Sequence, residues 1–391
     1  MKRLVQFFVY EKMFKKFISA VFCAGLLVSF VIGQERTTNQ KISGELGKKL
    51  NVHLTKLVDK GFSGVVFVAK KDKIMLAKGY GYSDREKRIP NTTKTVFPIG
   101  SVTKQFTAAA IVKLEMQGKL QVTDPITKYF KDVPPDKSKI TIHQLLTHSS
   151  GIPSEIGFCD QIKTRDGFVT MALNAQLDFA PGAEYRYSNP GYDLLAVIVE
   201  LASGAPFEEY VSENLFKPAG MKQTGIFVPK YSLENIAIGY RDGKRWGTVY
   251  EKLLRYDYPT KKLSGAYGFQ LCGRGSGLIL STIGDSYKWH KQFEGECVFT
   301  RAAKEKIFTP HIPEGEGASS FYGYGWAIFP TPRKTKLITH NGSVNNVFKA
   351  DFHRYVDEDV VFVIMTNSLY SEQGAISVSP QIAEIIFEKL K

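Results

Sequence analysis

The sequence predicts an α+β fold in which an antiparallel sheet is built from both ends of the chain and a mainly helical lobe is inserted between. Two apolar, β-branched runs at 64–69 and 74–80 flank a short polar turn and predict a hairpin. The run at 359–366 is continuously apolar, as in a central strand buried on both faces. Residues from about 120 to 260 are instead punctuated by Pro and Gly and contain helical sequence, so we place the inserted lobe there.

Helical spacing and helix-ending residues predict the other elements. Leucines at helical spacing between residues 41 and 60 predict a helix that Gly61 ends. Further helices are predicted from Ser101 to about Gln117 and over 191–203. A final amphipathic helix begins at Ser379-Pro380. Further strands are predicted at 277–281, 323–329, 337–340 and 347–352. With 391 residues, of which 43% are hydrophobic and 23% charged, the chain has enough material for a large core.

Residues 1–33 have the pattern of an export signal. Three lysines precede an apolar run from Phe17 to Ile32, and a small residue stands before Gln34. The run is shorter than the roughly 20 residues that span a bilayer, so we expect cleavage, with an uncleaved membrane anchor as the alternative. Met13 would begin a more typical signal than Met1, so the start could lie there.

The formal charge of +14 bears on the partners of the protein. Removal of the signal would lower it to +10, and a basic mature protein is attracted to anionic envelope polymers or a membrane surface. The charge is spread along the chain, however, so a merely solvated surface explains it as well. No arginine-rich run or recognised motif points to nucleic acid, which we do not expect as a partner. Membrane association is expected only if the signal stays uncleaved.

Three cysteines would remain after export, namely Cys159, Cys272 and Cys297. An odd number permits one disulfide at most and leaves a free thiol. Their spacing does not resemble a metal site, and none stands beside a candidate base, so a catalytic cysteine is not expected.

The sharpest chemical signal is Ser101 followed by Lys104 at the start of a predicted helix. Serine is a poor nucleophile without an adjacent base. Three residues span nearly one helical turn, which puts the lysine amine on the same face as the serine hydroxyl. Burial in a dry pocket would lower the pKa of Lys104 and let the neutral amine take the Ser101 proton. The helix start also offers the Ser101 backbone N–H to an oxyanion. The alternative is a plain helix cap with an exposed lysine.

Tyr187 and Asn189 form a second cluster before the 191–203 helix. A tyrosine hydroxyl can carry a proton between a nucleophile and a leaving group. The Asn189 amide can donate to a substrate carbonyl and accept from a lysine. The alternative is a helix-entry loop, in which Tyr187 packs and Asn189 caps.

His340-Asn341-Gly342-Ser343 follows the predicted strand KLIT as a third cluster. Gly342 would let a substrate backbone approach, and the Ser343 N–H would be a second oxyanion donor. His340 would supply polarity or positive charge toward a substrate carboxylate. The alternative is a turn at the strand end, common for an Asn-Gly pair.

Together and in this order, the three clusters resemble the serine β-lactamase and penicillin-binding family, in particular its class C and DD-peptidase-like branch. That branch carries S-x-x-K, Y-x-N and a K/H-x-G triplet. Similar stretches run from about residue 60 to 367; they are LLTHSSGIP at 145–153, Pro181-Gly182, KPAGM at 217–221 and Tyr324-Gly325-Trp326. The resemblance implies one β-lactamase/transpeptidase-like domain over 34–391, with the site between sheet and helical lobe and with no metal and no cofactor.

By position, the resemblance implies Ser101 as nucleophile and Lys104 and Tyr187 as acid/base groups. It implies Asn189 as a substrate contact and places 340–343 on the substrate-binding strand. No K-[ST]-G occurs, so the third motif is the histidine variant, which in the family is more typical of peptidases and esterases than of dedicated β-lactamases.

We therefore expect an exported serine hydrolase that forms an acyl-enzyme on a D-alanyl-type peptide, an ester or a β-lactam. A peptidoglycan-type D-Ala peptidase or an esterase is favoured. A β-lactamase and a catalytically idle protein that binds wall peptides or a partner are the alternatives.

Overall fold

The computed structural model describes most of the chain. The described residues are 40–157, 164–226, 233–249, 251, 272–368, 370–371, 374–375 and 378–387. The predicted export signal at 1–33 and Cys159 lie outside them.

An antiparallel sheet of nine strands forms the frame, as predicted. In sheet order its strands are β1 (Lys41–Ile42), β3 (Lys73–Tyr80), β2 (Ser63–Lys70), β15 (Val360–Ser368), β14 (Phe348–Tyr355), β13 (Lys336–Val344), β12 (Ala327–Pro330), β11 (Phe321–Tyr322) and β10 (Ile312–Pro313). The N-terminal hairpin pairs through β2 with β15, so both ends of the described chain meet in the middle of the sheet. The smaller pairs are β4 (Tyr82–Asp84) with β5 (Ile89–Pro90), β6 (Phe97–Pro98) with β9 (Leu280–Ser281), β7 (Gly239–Arg241) with β8 (Lys244–Gly247), and β16 (Tyr370–Ser371) with β17 (Gly374–Ala375).

Helices cover both faces of this sheet. They are α1 (Gly44–Val58), α2 (Thr103–Met116), α3 (Ile142–Leu146), α4 (Arg165–Asn174), α5 (Asn189–Ser203), α6 (Phe207–Val211), α7 (Ile283–Gln292), α8 (Arg301–Ile307) and α9 (Ser379–Phe387). None of the helices in the described ranges has an apolar stretch long enough to cross a bilayer.

The alternation of side chains along β2 divides the core into two parts. Val66 and Val68 face one cluster with α1 and α9, where Leu50, Leu54 and Ile382 are buried. Val65 and Phe67 face the larger cluster, which continues into the helical part of the chain. Helix α2 runs through that larger core and is buried continuously from Thr103 to Val112. A helix buried on all sides can hold a dry functional group, because no face meets water.

Three predicted strands are corrected, and two helices were missed. Of the strand expected at 323–329, only the last part forms, as β12, because residues 323–326 lie between the separate strands β11 and β12. The strand expected at 337–340 extends to Val344, so the Asn341-Gly342 pair lies within β13 and not in a turn; the hairpin turns at Asn345 and Asn346 instead, both with positive φ. Of the strand expected at 277–281, only β9 forms, because the preceding residues form a turn. Helices α7 and α8, missed in the sequence, are each started by a threonine cap.

Candidate active site

Ser101 lies in a short 3₁₀ turn, Gly100–Val102, that leads directly into α2. Gly100 has φ +53°, a left-handed conformation that glycine adopts at little cost. A methyl group on Gly100 would also lie 2.6 Å from the Ser343 nitrogen of β13, so a side chain could not fit there. No side-chain cap bond from Ser101 begins either helical segment, which rules out the plain-cap alternative.

Lys104 is fully buried, with 0% of its surface exposed. Its Nζ lies 3.3 Å from Ser101 Oγ, 2.7 Å from Asn189 Oδ1 and 2.9 Å from the Ser276 carbonyl oxygen. The amide and carbonyl oxygens are acceptors only and take two N–H bonds. A neutral amine has two hydrogens and one lone pair, so the lone pair is left for the Ser101 hydroxyl. The exposed-lysine alternative is therefore wrong.

Burial lowers the pKa of Lys104 to about 7, against the opposing effect of the carboxylates of Asp193 and Glu155. A substantial fraction of the amine is then neutral near pH 7. This is the range in which a general base both accepts and releases a proton readily.

Tyr187 places its phenol close enough to Ser101 for the serine side chain to lower the pKa of the phenol, although burial has the larger, opposite effect. Lys104 Nζ lies 4.6 Å from the centroid of its ring. Burial raises the pKa of Tyr187 well above its usual value, so the phenol stays protonated. The geometry thus separates the two predicted acid/base groups, with the amine suited to accept a proton and the phenol to donate one.

His148 holds the segment that carries Tyr187. The Ser188 N–H donates to His148 Nδ1 at 3.1 Å, and the Arg186 N–H donates to the His148 carbonyl at 2.8 Å. The His148 ring lies against the Tyr187 ring, with 4.3 Å between centroids. His143 makes a comparable bond from α3, since its Nδ1 bonds the Tyr324 hydroxyl at 2.8 Å.

Asn189 is oriented by partners on both ends of its amide. Its Oδ1 accepts from Lys104, and its Nδ2 donates to Glu155 Oε1 at 2.6 Å. The cap of α5 is Ser188, whose Oγ accepts from the Gly191 N–H, so Asn189 does not serve as the cap. Its amide is therefore not used for capping and instead links Lys104 to Glu155.

The β13 segment from His340 to Ser343 lies beside Ser101. A methyl group built on Gly342 would lie 2.0 Å from the Ile99 carbonyl oxygen and 2.8 Å from the Ser101 nitrogen. Together with the contact of Gly100 with Ser343, this makes the backbones of residues 100–101 and 342–343 direct neighbours. The two predicted oxyanion donors, the N–H groups of Ser101 and Ser343, are brought to one place.

The surroundings of His340 favour its neutral form and thus the polar of its two predicted roles. Burial and the nearby Lys104 lower its pKa to about 3. Its Nδ1 lies 2.6 Å from the Asn341 carbonyl oxygen and its Nε2 lies 2.9 Å from the Tyr322 hydroxyl. A carbonyl oxygen only accepts, so Nδ1 must carry the proton of the neutral ring and donate to Asn341. Nε2 then accepts from the Tyr322 hydroxyl. His340 offers polarity to the cleft but no positive charge.

Sequence reasoning missed Asp193, Glu155 and Tyr322, which contact this cluster or its supports. For Asp193 a signal was present, because its carboxylate stands among apolar residues near the start of the run GYDLLAVIVELAS, where a charge needs a specific partner. Glu155 and Tyr322 carried no comparable signal. Within the described ranges, no group of His, Cys, Asp or Glu side chains is arranged to hold a metal ion.

Comparison with known proteins shows the family of this chain. The family model described as Beta-lactamase matches residues 50–386. Penicillin-binding protein 4* of Bacillus subtilis (strain 168) is 29% identical over 316 residues, which are 78% of this chain and 68% of that protein. Protein flp of Staphylococcus aureus (strain MW2) is 30% identical over 290 residues, 72% of this chain and 55% of that protein. The chain thus spans between about half and two thirds of the length of these relatives.

Among solved structures, the octameric penicillin-binding protein homologue from Pyrococcus abyssi superposes with a TM-score of 0.72 at 27% identity. The match covers 89% of this chain and 78% of that one. The fold and the family together define a serine hydrolase with a β-lactamase/transpeptidase-like architecture. The chain belongs to the Beta-lactamase family.

Proposed function

We propose that this protein is an exported serine hydrolase that forms an acyl-enzyme on Ser101 with a D-alanyl-type peptide or an ester. The observation that carries the proposal is the environment of Lys104 Nζ, whose two acceptor oxygens leave its lone pair for the Ser101 hydroxyl. Burial of a lysine costs folding free energy, so a lysine that is held at this position by three partners indicates a function.

In the acylation step, Ser101 Oγ attacks the substrate carbonyl carbon while its proton passes to Lys104. Negative charge develops on the carbonyl oxygen, between the N–H groups of Ser101 and Ser343. The bond to the leaving nitrogen or oxygen then breaks, and Tyr187 supplies the proton that this atom needs, its own being restored from the Lys104 ammonium. Water releases the acyl group by the same steps in reverse order, which regenerates the Ser101 hydroxyl.

A strand edge that pairs with no strand in the described part of the chain supports a peptide as substrate. Strand β12 pairs with β13 only as far as Ala327 opposite Thr339, whereas β14 pairs with β13 through to Val344. The β13 residues after Thr339 therefore have one side beyond the end of β12. An extended acyl chain can add there as a further strand and place its carbonyl at Ser101.

A peptidase or an esterase is favoured over a β-lactamase for two reasons. The third motif is the histidine variant, and His340 is neutral, so this side chain does not attract a carboxylate as a lysine would. The Bacillus subtilis relative and the structural match from Pyrococcus abyssi are both named for penicillin binding and not for penicillin hydrolysis.

Export through the 1–33 signal is part of the proposal. Cys272 is disulfide-bonded and Cys297 is a free thiol, in line with the limit of one disulfide in the mature part. Disulfides persist mainly in oxidising compartments, which supports a site of action in the cell envelope or outside the cell. Detection of a mature N-terminus near Gln34 by mass spectrometry would test cleavage, and a retained N-terminus would favour an anchor.

The deciding experiment is intact-mass detection of an acyl adduct on the purified protein. The panel would contain a D-alanyl-D-alanine peptide, an activated ester and a penicillin, each with the wild type and with Ser101→Ala. We expect an adduct or turnover with the peptide or the ester in the wild type, and neither in the variant.

Other outcomes separate the alternatives. Rapid penicillin turnover with inert peptide and ester would make the protein a β-lactamase. Peptide binding without any adduct or turnover would make it a binding protein. Labelling that persists in Ser101→Ala would move the nucleophile elsewhere.

A further inference from the structure

The third partner of Lys104 belongs to a turn over residues 272–277. Asp193 accepts three backbone N–H bonds from this turn. Its Oδ2 accepts from Gly273 at 2.8 Å, and its Oδ1 accepts from Gly275 at 2.9 Å and from Ser276 at 3.0 Å. The carboxylate thereby fixes the backbone on both sides of Arg274. It also fixes Ser276, whose carbonyl oxygen accepts from Lys104.

Further contacts fix the turn against the two helices that carry the site. The Thr107 hydroxyl of α2 donates to the Gly275 carbonyl at 2.7 Å. A methyl group on Gly275 would lie 2.2 Å from the Tyr192 carbonyl oxygen of α5, so the turn packs directly on the backbone of that helix. Asp193 itself is 3% exposed, and a buried carboxylate persists only with such donors.

We propose that Asp193 is a positioning residue for acylation, because it fixes the 273–276 turn so that the Ser276 carbonyl binds one hydrogen of Lys104 and leaves the lone pair for Ser101. The inference rests on the proposed function of Ser101 and Lys104. It adds a residue that touches neither the substrate nor the nucleophile and acts only through the turn and through its charge.

The charge gives Asp193 a second, measurable effect. It raises the pKa of Lys104, against the larger lowering effect of burial. Other titratable groups also face the amine. They are Glu155 from the segment before α4, Tyr187 and Tyr192 at the start of α5, His148 after α3, and His340 on β13. Burial lowers the pKa of the two histidines and raises that of the two phenols. Burial also raises the pKa of Asp193 to about 6, against the lowering effects of its hydrogen-bond donors and of Lys104.

The test compares Asp193→Asn with Thr107→Val in the full chain. The first variant keeps an oxygen for Gly275 and Ser276, turns an amide toward Gly273 and removes the charge. The second removes one anchor of the same turn and leaves the charge in place. The readout is kcat/KM for p-nitrophenyl acetate between pH 5 and pH 9, with folding checked by circular dichroism.

For Asp193→Asn we expect kcat/KM on the pH plateau to fall about 100-fold, the size of effect that a 1 Å displacement of a catalytic group produces. The acid limb of the profile should also move to lower pH, because loss of the anion destabilises the Lys104 ammonium. For Thr107→Val we expect a smaller fall, about tenfold, and an unmoved limb.

A merely structural role would lower activity in Asp193→Asn without moving the limb, and that result would overturn the proposal, as would wild-type kinetics in this variant. If Asp193→Asn does not fold, Thr107→Val decides, because unchanged kcat/KM there would show that the turn does not position the amine. Failure of the proposed function is distinguishable, since the wild type would then form no Ser101 adduct at all.

Discussion

Lys104 and Asn189, 85 residues apart along the chain, are joined by a 2.7 Å hydrogen bond from Nζ to Oδ1. The bond joins the first turn of α2 to the first turn of α5. The bond orients the amine toward Ser101. The asparagine is oriented in turn by Glu155, which accepts a hydrogen bond from the other end of its amide. The position of the proposed base therefore depends on a residue from a distant part of the chain.

Replacement of that amide by a carboxylate should move the activity to higher pH. In Asn189→Asp the new anion beside Nζ stabilises the ammonium and raises the pKa of Lys104. We expect kcat/KM at pH 7 to fall at least about tenfold and to recover in part at pH 9. Asn189→Ala is the control, because it removes the same bond without adding charge. Recovery at high pH in both variants, or in neither, would contradict this account.

The wild type should itself lose activity on acidification. Because only the neutral amine accepts the Ser101 proton and the pKa of Lys104 is about 7, kcat/KM should decline below that pH, by about tenfold per unit at the lower end. Lys104→Arg keeps a cation that does not deprotonate and should lower acylation by about 100-fold to 10,000-fold. An effect confined to KM in this variant would argue against a base.

The contact between β13 and the 3₁₀ turn predicts a strict requirement for glycine at 342. In Gly342→Ala the new methyl group would lie 2.0 Å from the Ile99 carbonyl oxygen and 2.8 Å from the Ser101 nitrogen, so the two backbones must separate. We expect kcat to fall about 100-fold or more, as when one oxyanion donor is lost. Gly295→Ala is the matched control, because nothing lies within 4 Å of the added methyl group. Equal kcat in the two variants would refute the proposed donor pair.

Tyr322→Phe should destabilise the fold beneath the site. Without the hydroxyl, His340 Nε2 loses its donor while it remains buried. The free energy of unfolding, measured by urea denaturation, should fall by about 1–3 kcal/mol. Tyr82→Phe removes the same group from a side chain that is 45% exposed and should change it little. If both variants lost the same stability, the bond to His340 would not be its source.

Much of the frame was predictable because it depends on local patterns. The run at 359–366 became the central strand β15, and the hairpin at 64–80 turned at Lys71 and Asp72 with the positive φ of a two-residue turn. The 191–203 helix ends at Gly204, which is left-handed. The extension of β13 through Asn341-Gly342 was missed, because pairing with β14 outweighs the local turn preference of that dipeptide.

The sequence by itself determined the order of the three clusters, the spacing of Ser101 and Lys104 on one helical turn, and the family to which they point. Only the tertiary structure decided the charge of these groups, because burial and neighbouring dipoles come from residues far apart in the chain. The pKa values of Lys104 and His340 are both lowered for that reason. The contacts of Asp193 with residues 273–276 were also decided only by the tertiary structure, because no local pattern links a helix side chain to backbone groups 80 residues away.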